Sequence, residues 1–500
     1  MLASPWLAQR AAVTPARTAC VVGGHALTYA QLDERVQERA VALRRGGVHP
    51  GDVVAALFGN GLAFVELLHA VDRCAATLLP LNVRLTPREI CYQLGDSGAR
   101  VLLYAGDALA ERAHAAGSRA PGLEVVAWPE APQPNSARAR DCESPAVDPD
   151  DPLAILYTSG TTGRPKGVYL SRANFLWSAV SSAVHLGVDP GDRWLACLPL
   201  FHVGGLSILL RSVLYGSAVV VHERFDAAAV SRALDADGIT HVSLTATMLQ
   251  RLLDARGARE TPPALRCALI GGGPCPSALL ERARAAGLPV APTYGLTEAT
   301  AQVATRPPAP NEDADGPLTP LLGVQIRIVD ADGAELPPGG EGEIWVRGPT
   351  VMSGYVNDPG SADTALRGGW LRTGDVGTLD AAGRLLVRER RSDLIVSGGE
   401  NIYPAEVEAA LLEYPAVQDV GVAGVADAEY GRRPVAWWCA QPGAEIPSDA
   451  ALRAFCSERL ARYKVPVAFH RVDALPRNSA GKLLRHRLGT AASDETEAPD

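Results

Sequence analysis

The densest set of chemistry-bearing side chains is the run Tyr157-Thr-Ser-Gly-Thr-Thr-Gly-Arg-Pro-Lys-Gly-Val168. It combines the hydroxyls of Thr158, Ser159, Thr161 and Thr162 with Gly160 and Gly163 and the cations Arg164 and Lys166. Glycine lets a backbone fold tightly around an anion. Hydroxyls donate hydrogen bonds, and the two cations add charge. The chemistry suits a loop that holds phosphate, although the same residue types dominate solvated turns. The P-loop pattern, in which Gly, four residues and Gly-Lys-Ser/Thr open a helix, is not met. From Gly160 the position of the second glycine is Pro165, and Lys166 is followed by Gly167.

Four further segments carry groups that a nucleotide would need. Tyr294-Gly295-Leu-Thr297-Glu298 offers a ring to stack on a base, a hydroxyl for phosphate and a carboxylate for Mg2+. Thr373-Gly-Asp375 offers a carboxylate that can accept from both ribose hydroxyls. Gly271-Gly272-Gly273-Pro274 allows close backbone approach to a flat base. Gly481-Lys482 places a cation near the C-terminus, where charge at an α-phosphate could be stabilised. Each of these, in isolation, also reads as a turn, a helix cap or a solvated lysine.

The elements around these segments alternate. Periodicity predicts a helix over 29–45 with Thr28 as N-cap, a buried strand over 53–58 and a helix over 63–77. An apolar strand over 153–157 ends at the phosphate loop. Strands are expected over 193–198, 218–221, 241–244, 267–270 and 290–294, so the Gly271 and Tyr294 segments fall at strand ends. That alternation implies an α/β fold with parallel sheets. From Val324 to Val387 short strands split by Gly, Pro and Asp imply a small antiparallel, β-barrel-like subdomain. Residues 128–152 read as a surface connection. After the charged stretch 388–393 the pattern returns to α+β, and 489–500 read as a disordered acidic tail.

Five hundred residues exceed one hydrophobic core, so at least two domains are expected. With 47% apolar and 21% charged residues the composition is that of an ordinary globular protein. The net charge of −9 argues against a nucleic-acid partner. Nine unclustered cysteines fit reduced thiols in a cytoplasm. No signal peptide or membrane span is read; the apolar stretch 204–221 holds Arg211 and reads as a core helix running into a strand.

The five segments 157–168, 294–298, 373–375, 390–408 and 478–485 resemble, in order and spacing, the core motifs of the adenylate-forming (AMP-binding) superfamily, over roughly residues 6 to 488. Within it, Asp192 to Ser207, Ile270 to Pro274, Arg390 to Pro404 and Trp6 to Arg10 are similar to the o-succinylbenzoate–CoA ligases of menaquinone biosynthesis. The resemblance implies a large N-terminal domain over 1–389, a hinge at 390–393 and a small mobile α+β C-terminal domain over 394–488. It implies that Thr158, Ser159, Gly160, Thr161, Thr162, Gly163 and Lys166 hold the ATP phosphates. Gly272, Gly273, Pro274, Tyr294 and Gly295 would surround adenine, with Asp375 and Arg390 on the ribose. Thr297 would touch phosphate, Glu298 would bind Mg2+, and Lys482 would be the catalytic lysine.

The implied reaction forms an acyl-adenylate from a carboxylic acid and ATP, and CoA then displaces AMP. The resemblance makes Ser392 the pivot between these halves and puts Gly398 and Gly399 in the CoA tunnel. It sets His202 at the acyl pocket. Arg211 interrupts an apolar helix; buried, it requires a partner. A second carboxylate on the substrate is one candidate, and a protein acid or solvent is the other. Ala299-Thr300-Ala301 is smaller and less polar than the ligase resemblance leads one to expect, and Leu318-Thr319-Pro320 departs from the superfamily's usual Gly-x-Pro. Competing readings are a ligase for another aryl or medium-chain acid, an enzyme that loads a carrier protein, a luciferase-like oxygenase and an inactive scaffold. A homodimer is compatible with all of them.

Overall fold

The computed structural model describes residues 5–129, 145, 147–159, 164–308, 316–389, 394–477, 483 and 485–488. The chain divides into two compact units. The first comprises residues 1–83, 91–156 and 167–390, and the second comprises 84–90, 157–166 and 391–500.

The first unit is built on two mostly parallel sheets. One has nine strands, and its centre is the parallel set Val290–Tyr294, Cys267–Ile270, His241–Leu244, Arg193–Ala196, Ala218–Val221 and Thr18–Val22. Its middle strands Ala218–Val221, His241–Leu244 and Cys267–Ile270 are buried at every position. Helices cover both faces of such strands, so runs of Val, Ile and Leu replace alternation. The order reverses beside Arg193–Ala196: the next strand in sequence pairs on one side and the one after it on the other. A reversal of this kind opens a crevice at the carboxyl ends of the strands.

The second sheet runs Gly354–Tyr355, Pro165–Ser171, Pro152–Ser159, Thr77–Pro80, Val53–Leu57, Val101–Tyr104 and Glu124–Ala127. Thr28 caps the helix Tyr29–Arg45 through a capping box with Gln31, as the sequence predicts. The helix expected over 63–77 is shorter, Leu62–Arg73, and Thr77 opens the next strand. Ala75 takes φ +54, which breaks the helix and turns the chain back to the sheet.

Residues 325–389 form an antiparallel five-stranded sheet, with register shifts at Glu343/Trp345 and Val376/Gly377 that curl it. The barrel-like part expected there is this curled sheet, whose described strands pair as an open path. The second unit pairs Glu400–Ile402, Ile395–Ser397, Gly431–Ala440 and Val417–Asp427 antiparallel, with Phe469–Arg471 parallel on Gly431–Ala440. Helices Pro404–Leu412 and Asp449–Ser457 bury Val407, Leu411 and Leu452 against it in an α+β core. The described residues contain no helix long and apolar enough to cross a membrane.

Candidate active site

Tyr294 ends a buried parallel strand and Asp375 lies in the middle of the antiparallel strand Trp370–Leu379. Both side chains are buried, and the Tyr294 hydroxyl donates to Asp375 Oδ2 at 2.7 Å. Asp375 is set by its own turn. Thr373 Oγ1 donates to Ile344 O at 2.7 Å and accepts from Asp375 N at 3.0 Å, while Gly374 N donates to Glu343 Oε1 at 3.1 Å. The Thr-Gly-Asp run is thus a strand residue fixed by its hydroxyl, not a surface turn.

Gly295 follows Tyr294, and a Cβ there would overlap the Ala301 carbonyl. The chain must double back at this point, and only glycine leaves room. The return is made by Thr297–Ala299 in a single 3-10 turn and by Thr300 and Ala301, both at positive φ. Thr300 is fixed from two sides: its hydroxyl donates to Thr350 O at 2.6 Å, and its carbonyl accepts from Ser178 Oγ at 2.8 Å. Glu298 projects from this turn and accepts from the Tyr355 hydroxyl at 3.3 Å, while its carbonyl accepts from Met352 N at 2.8 Å. On the neighbouring strand end, Gly271 packs against the Thr293 side chain and Gly272 takes φ +79. Gly273 and Pro274 continue that turn. The glycine turn and the tyrosine therefore sit at the ends of adjacent parallel strands.

A hard cation held through one carboxylate and substrate phosphates needs no all-protein cage. Glu298 fits that role. The described residues contain no cluster of three or more potential metal ligands.

His202 caps the helix Val203–Tyr215, at the reversal of strand order, with its ring edge-on to Phe201 at 4.7 Å. Asn60 holds this segment. Its amide donates to Leu198 O at 2.9 Å and His222 O at 3.1 Å, and its oxygen accepts from Leu200 N at 2.9 Å. Asn60 thereby ties the two sheets at their strand ends. It was not singled out from sequence; the Gly59-Asn60-Gly61 turn after a buried strand was its only signal. Arg211 lies nine residues along the helix from His202, about 13 Å away. It is buried, donates to Ser178 Oγ at 3.2 Å and lies 5.7 Å from the Trp194 ring centroid. No carboxylate pairs with it among the described residues, and its Nε has no partner. Burial pushes its proton affinity below the usual arginine range, with Tyr215 and Cys267 opposing. Among the described residues Arg211 thus meets neither solvent nor an acid.

Thr158 is the penultimate residue of the strand Pro152–Ser159 and Lys166 the second of Pro165–Ser171, so the phosphate-loop motif joins two strands instead of a strand and a helix. Gly398 and Gly399 form the turn between Ile395–Ser397 and Glu400–Ile402, with φ +59 and +91. Gly398 N donates to Tyr430 O at 2.9 Å. Gly160, Thr161, Thr162, Gly163, the Ser159 side chain, Arg390, Ser392 and Lys482 lie outside the described residues, as do 489–500 and most of the 128–152 connection.

Residues 7–356 match the AMP-binding enzyme family, and residues 406–482 match the AMP-binding enzyme C-terminal domain. A 2-succinylbenzoate–CoA ligase from Bacillus licheniformis is 44% identical over 97% of this chain and 98% of its own. The o-succinylbenzoate CoA synthetase from Bacillus subtilis has been solved in several states. Bound to a product analogue, as a double mutant, it superposes with a TM-score of 0.89 at 38% identity, covering 98% of this chain and 99% of its own. With its acyl-adenylate intermediate the TM-score is 0.72 at 37% identity, covering 100% and 99%. With ATP and magnesium ion it is 0.71 at 38%, covering 98% and 100%. From its buried Tyr294–Asp375 pair to these full-length similarities, the chain belongs to the AMP-binding enzyme family.

Proposed function

We infer that this protein is an AMP-forming acid–thiol ligase that joins 2-succinylbenzoate to CoA at the expense of ATP, the thioester-forming step of menaquinone biosynthesis. The observation that carries the choice of acid is Arg211, a buried guanidinium with no carboxylate partner among the described residues. One carboxylate of 2-succinylbenzoate is activated and the other is recognised. Arg211 reads the second, directly or through water, and His202 orients the first.

The adenine ring lies against Tyr294, between Gly295 and the Gly272-Gly273-Pro274 turn, and Asp375 with Arg390 accepts and donates at the ribose. Thr158, Ser159, Gly160, Thr161, Thr162, Gly163 and Lys166 hold the β- and γ-phosphates. Thr297 donates to the α-phosphate. Glu298 would hold Mg2+, whose charge would offset the repulsion between two anions that must meet. The acid oxygen attacks the α-phosphorus, the bond to pyrophosphate breaks, and Lys482 stabilises the charge that develops.

In the second half the CoA thiolate attacks the acyl carbon and AMP leaves. Lys482 cannot stay where the thiol must enter, so residues 390–393 act as the hinge, pivoting at Ser392. Gly398 and Gly399, in the left-handed region that favours glycine, line the thiol path. The partners are small molecules, not nucleic acid. The unclustered cysteines and the CoA substrate support a cytoplasmic reaction.

Mass spectrometry of reactions containing ATP, Mg2+, CoA and one acid tests the reading. The acids are 2-succinylbenzoate, benzoate, 4-coumarate and octanoate. A thioester formed mainly from 2-succinylbenzoate is expected. A thioester from another acid would leave the ligase and remove the substrate assignment.

A further inference from the structure

The helix Arg172–Leu186 is inside out. Its exposed residues are Leu176, Trp177, Val180 and Val184, all apolar, and no charged residue is exposed along it. Its buried face instead carries Asn174, Ser178, Ser181 and Ser182 beside Phe175 and Ala179. Asn174, Ser178 and Ser181 are used internally. Asn174 Nδ2 donates to Pro349 O and Val351 O at 2.8 and 2.9 Å, and Ser181 Oγ donates to Leu322 O at 2.7 Å. A surface helix of a globular protein normally shows the opposite arrangement. Val188, just past the helix, and Leu322, tethered by Ser181, extend the same patch.

We propose that this face is the twofold interface of a homodimer, in which the helix Arg172–Leu186 packs antiparallel on its own copy about Val180. Exposure of the six apolar residues runs from 38% to 66%. They present on the order of 500 Å² of apolar surface, at the upper end for the largest patch on a monomer. A standard interface buries about 800 Å² per partner, with an apolar core and a polar rim. The patch has the size of that core. It is also self-complementary. Leu176, Val180 and Val184 recur every fourth residue with Val180 central, so an antiparallel copy sets Val180 on Val180 and Leu176 on Val184. An isologous contact requires that symmetry.

A lipid surface is the weaker occupant. An anionic membrane attracts basic residues, whereas this helix exposes none and the chain carries a net charge of −9.

Sedimentation of the full chain across micromolar concentrations is the test, with thermal unfolding and thioester formation measured alongside. The wild type is expected to sediment at twice the chain mass. Val180→Glu and Val180→Lys are each expected to sediment as monomers, with thermal midpoint and rate close to wild type when compared at concentrations where the wild type also dissociates. An equimolar mixture of the two is expected to recover dimer, because the opposite charges meet across the axis. Should Val180→Glu fail to fold, Val184→Glu, at the most exposed position, replaces it. A wild type that is monomeric throughout overturns the proposal, whether the patch is then found to bind vesicles of anionic and zwitterionic lipid or is covered by chain outside the described residues. So does a Val180→Glu protein that stays dimeric, or a mixture that stays monomeric.

Discussion

The Tyr294 hydroxyl and the Asp375 carboxylate meet at 2.7 Å although 81 residues separate them. One comes from the end of a parallel strand and the other from a curled antiparallel sheet. The contact joins the residue assigned to adenine with the residue assigned to ribose. Tyr294→Phe keeps the ring and removes this hydrogen bond, with an expected cost of about 1 kcal/mol, or roughly fivefold weaker ATP binding by calorimetry. Asp375→Asn also loses the ribose acceptor and is expected to weaken ATP binding by on the order of 10²-fold. Equal affinities for all three proteins would remove Asp375 from the nucleotide site.

Gly295→Ala is expected to abolish adenylation. The added Cβ overlaps the Ala301 carbonyl, so the 297–301 turn must shift and carry Glu298 with it. The strain falls on one turn, so the thermal midpoint should drop by only a few degrees while pyrophosphate exchange falls by on the order of 10³-fold, about 4 kcal/mol of transition-state stabilisation. Exchange within tenfold of wild type would show that the turn does not position Glu298.

Glu298→Gln keeps the contact from Tyr355 and loses the charge. We expect a loss of roughly 10²-fold in pyrophosphate exchange at millimolar Mg2+, partly recovered at higher Mg2+. Chelation should abolish exchange in the wild type, and added Mg2+ should restore it. An unchanged Mg2+ dependence in the variant would place the cation elsewhere.

Arg211→Met should separate recognition from folding. For 2-succinylbenzoate, kcat/KM is expected to fall by about 10²-fold, near 3 kcal/mol. For an analogue without the ring carboxylate it should change little. In the absence of substrate the variant should be more stable by on the order of 1–3 kcal/mol, since an unpaired buried charge is removed. Equal losses on both acids would mean that Arg211 supports the pocket without reading a carboxylate.

Two buried histidines predict the acid limb of the stability curve. Burial pushes His69 down to about 3, with Arg73 adding to the effect, and pushes His241 down to about 4 against the pull of Asp192. Both folded values lie below the ordinary value near 6.5, so the unfolded chain binds the extra protons. Their contribution is complete above pH 6.5 or so and is lost as pH falls toward the folded values, at about 1.4 kcal/mol per pH unit for each histidine. Urea unfolding at pH 7 and pH 5 measures this. His69→Leu should show the shallower decline, and parallel profiles would exclude His69 as the titrating group.

Much of this architecture is written locally. The capping box at Thr28 and Gln31 and the all-apolar strands Ala218–Val221, His241–Leu244 and Cys267–Ile270 are fixed by neighbours in sequence, and they are where periodicity places them. The turns at the strand ends are legible for the same reason, since the Tyr294-Gly295 and Gly271-Gly272 segments carry their conformational demands in their own residue types. What tertiary structure alone decides is which distant groups share a volume. Asp375 reads as an ordinary turn until the curled sheet brings it to Tyr294. Asn60 reads as a turn residue until two sheets converge on it. Arg211 could have met an acid or solvent; the packing of Ser178 and Trp194 around it leaves it buried and, among the described residues, without a carboxylate. A hydrophobic count cannot foresee that the helix Arg172–Leu186 keeps its serines inside, because the carbonyls of Thr300 and Leu322 that accept from them arrive from more than a hundred residues away.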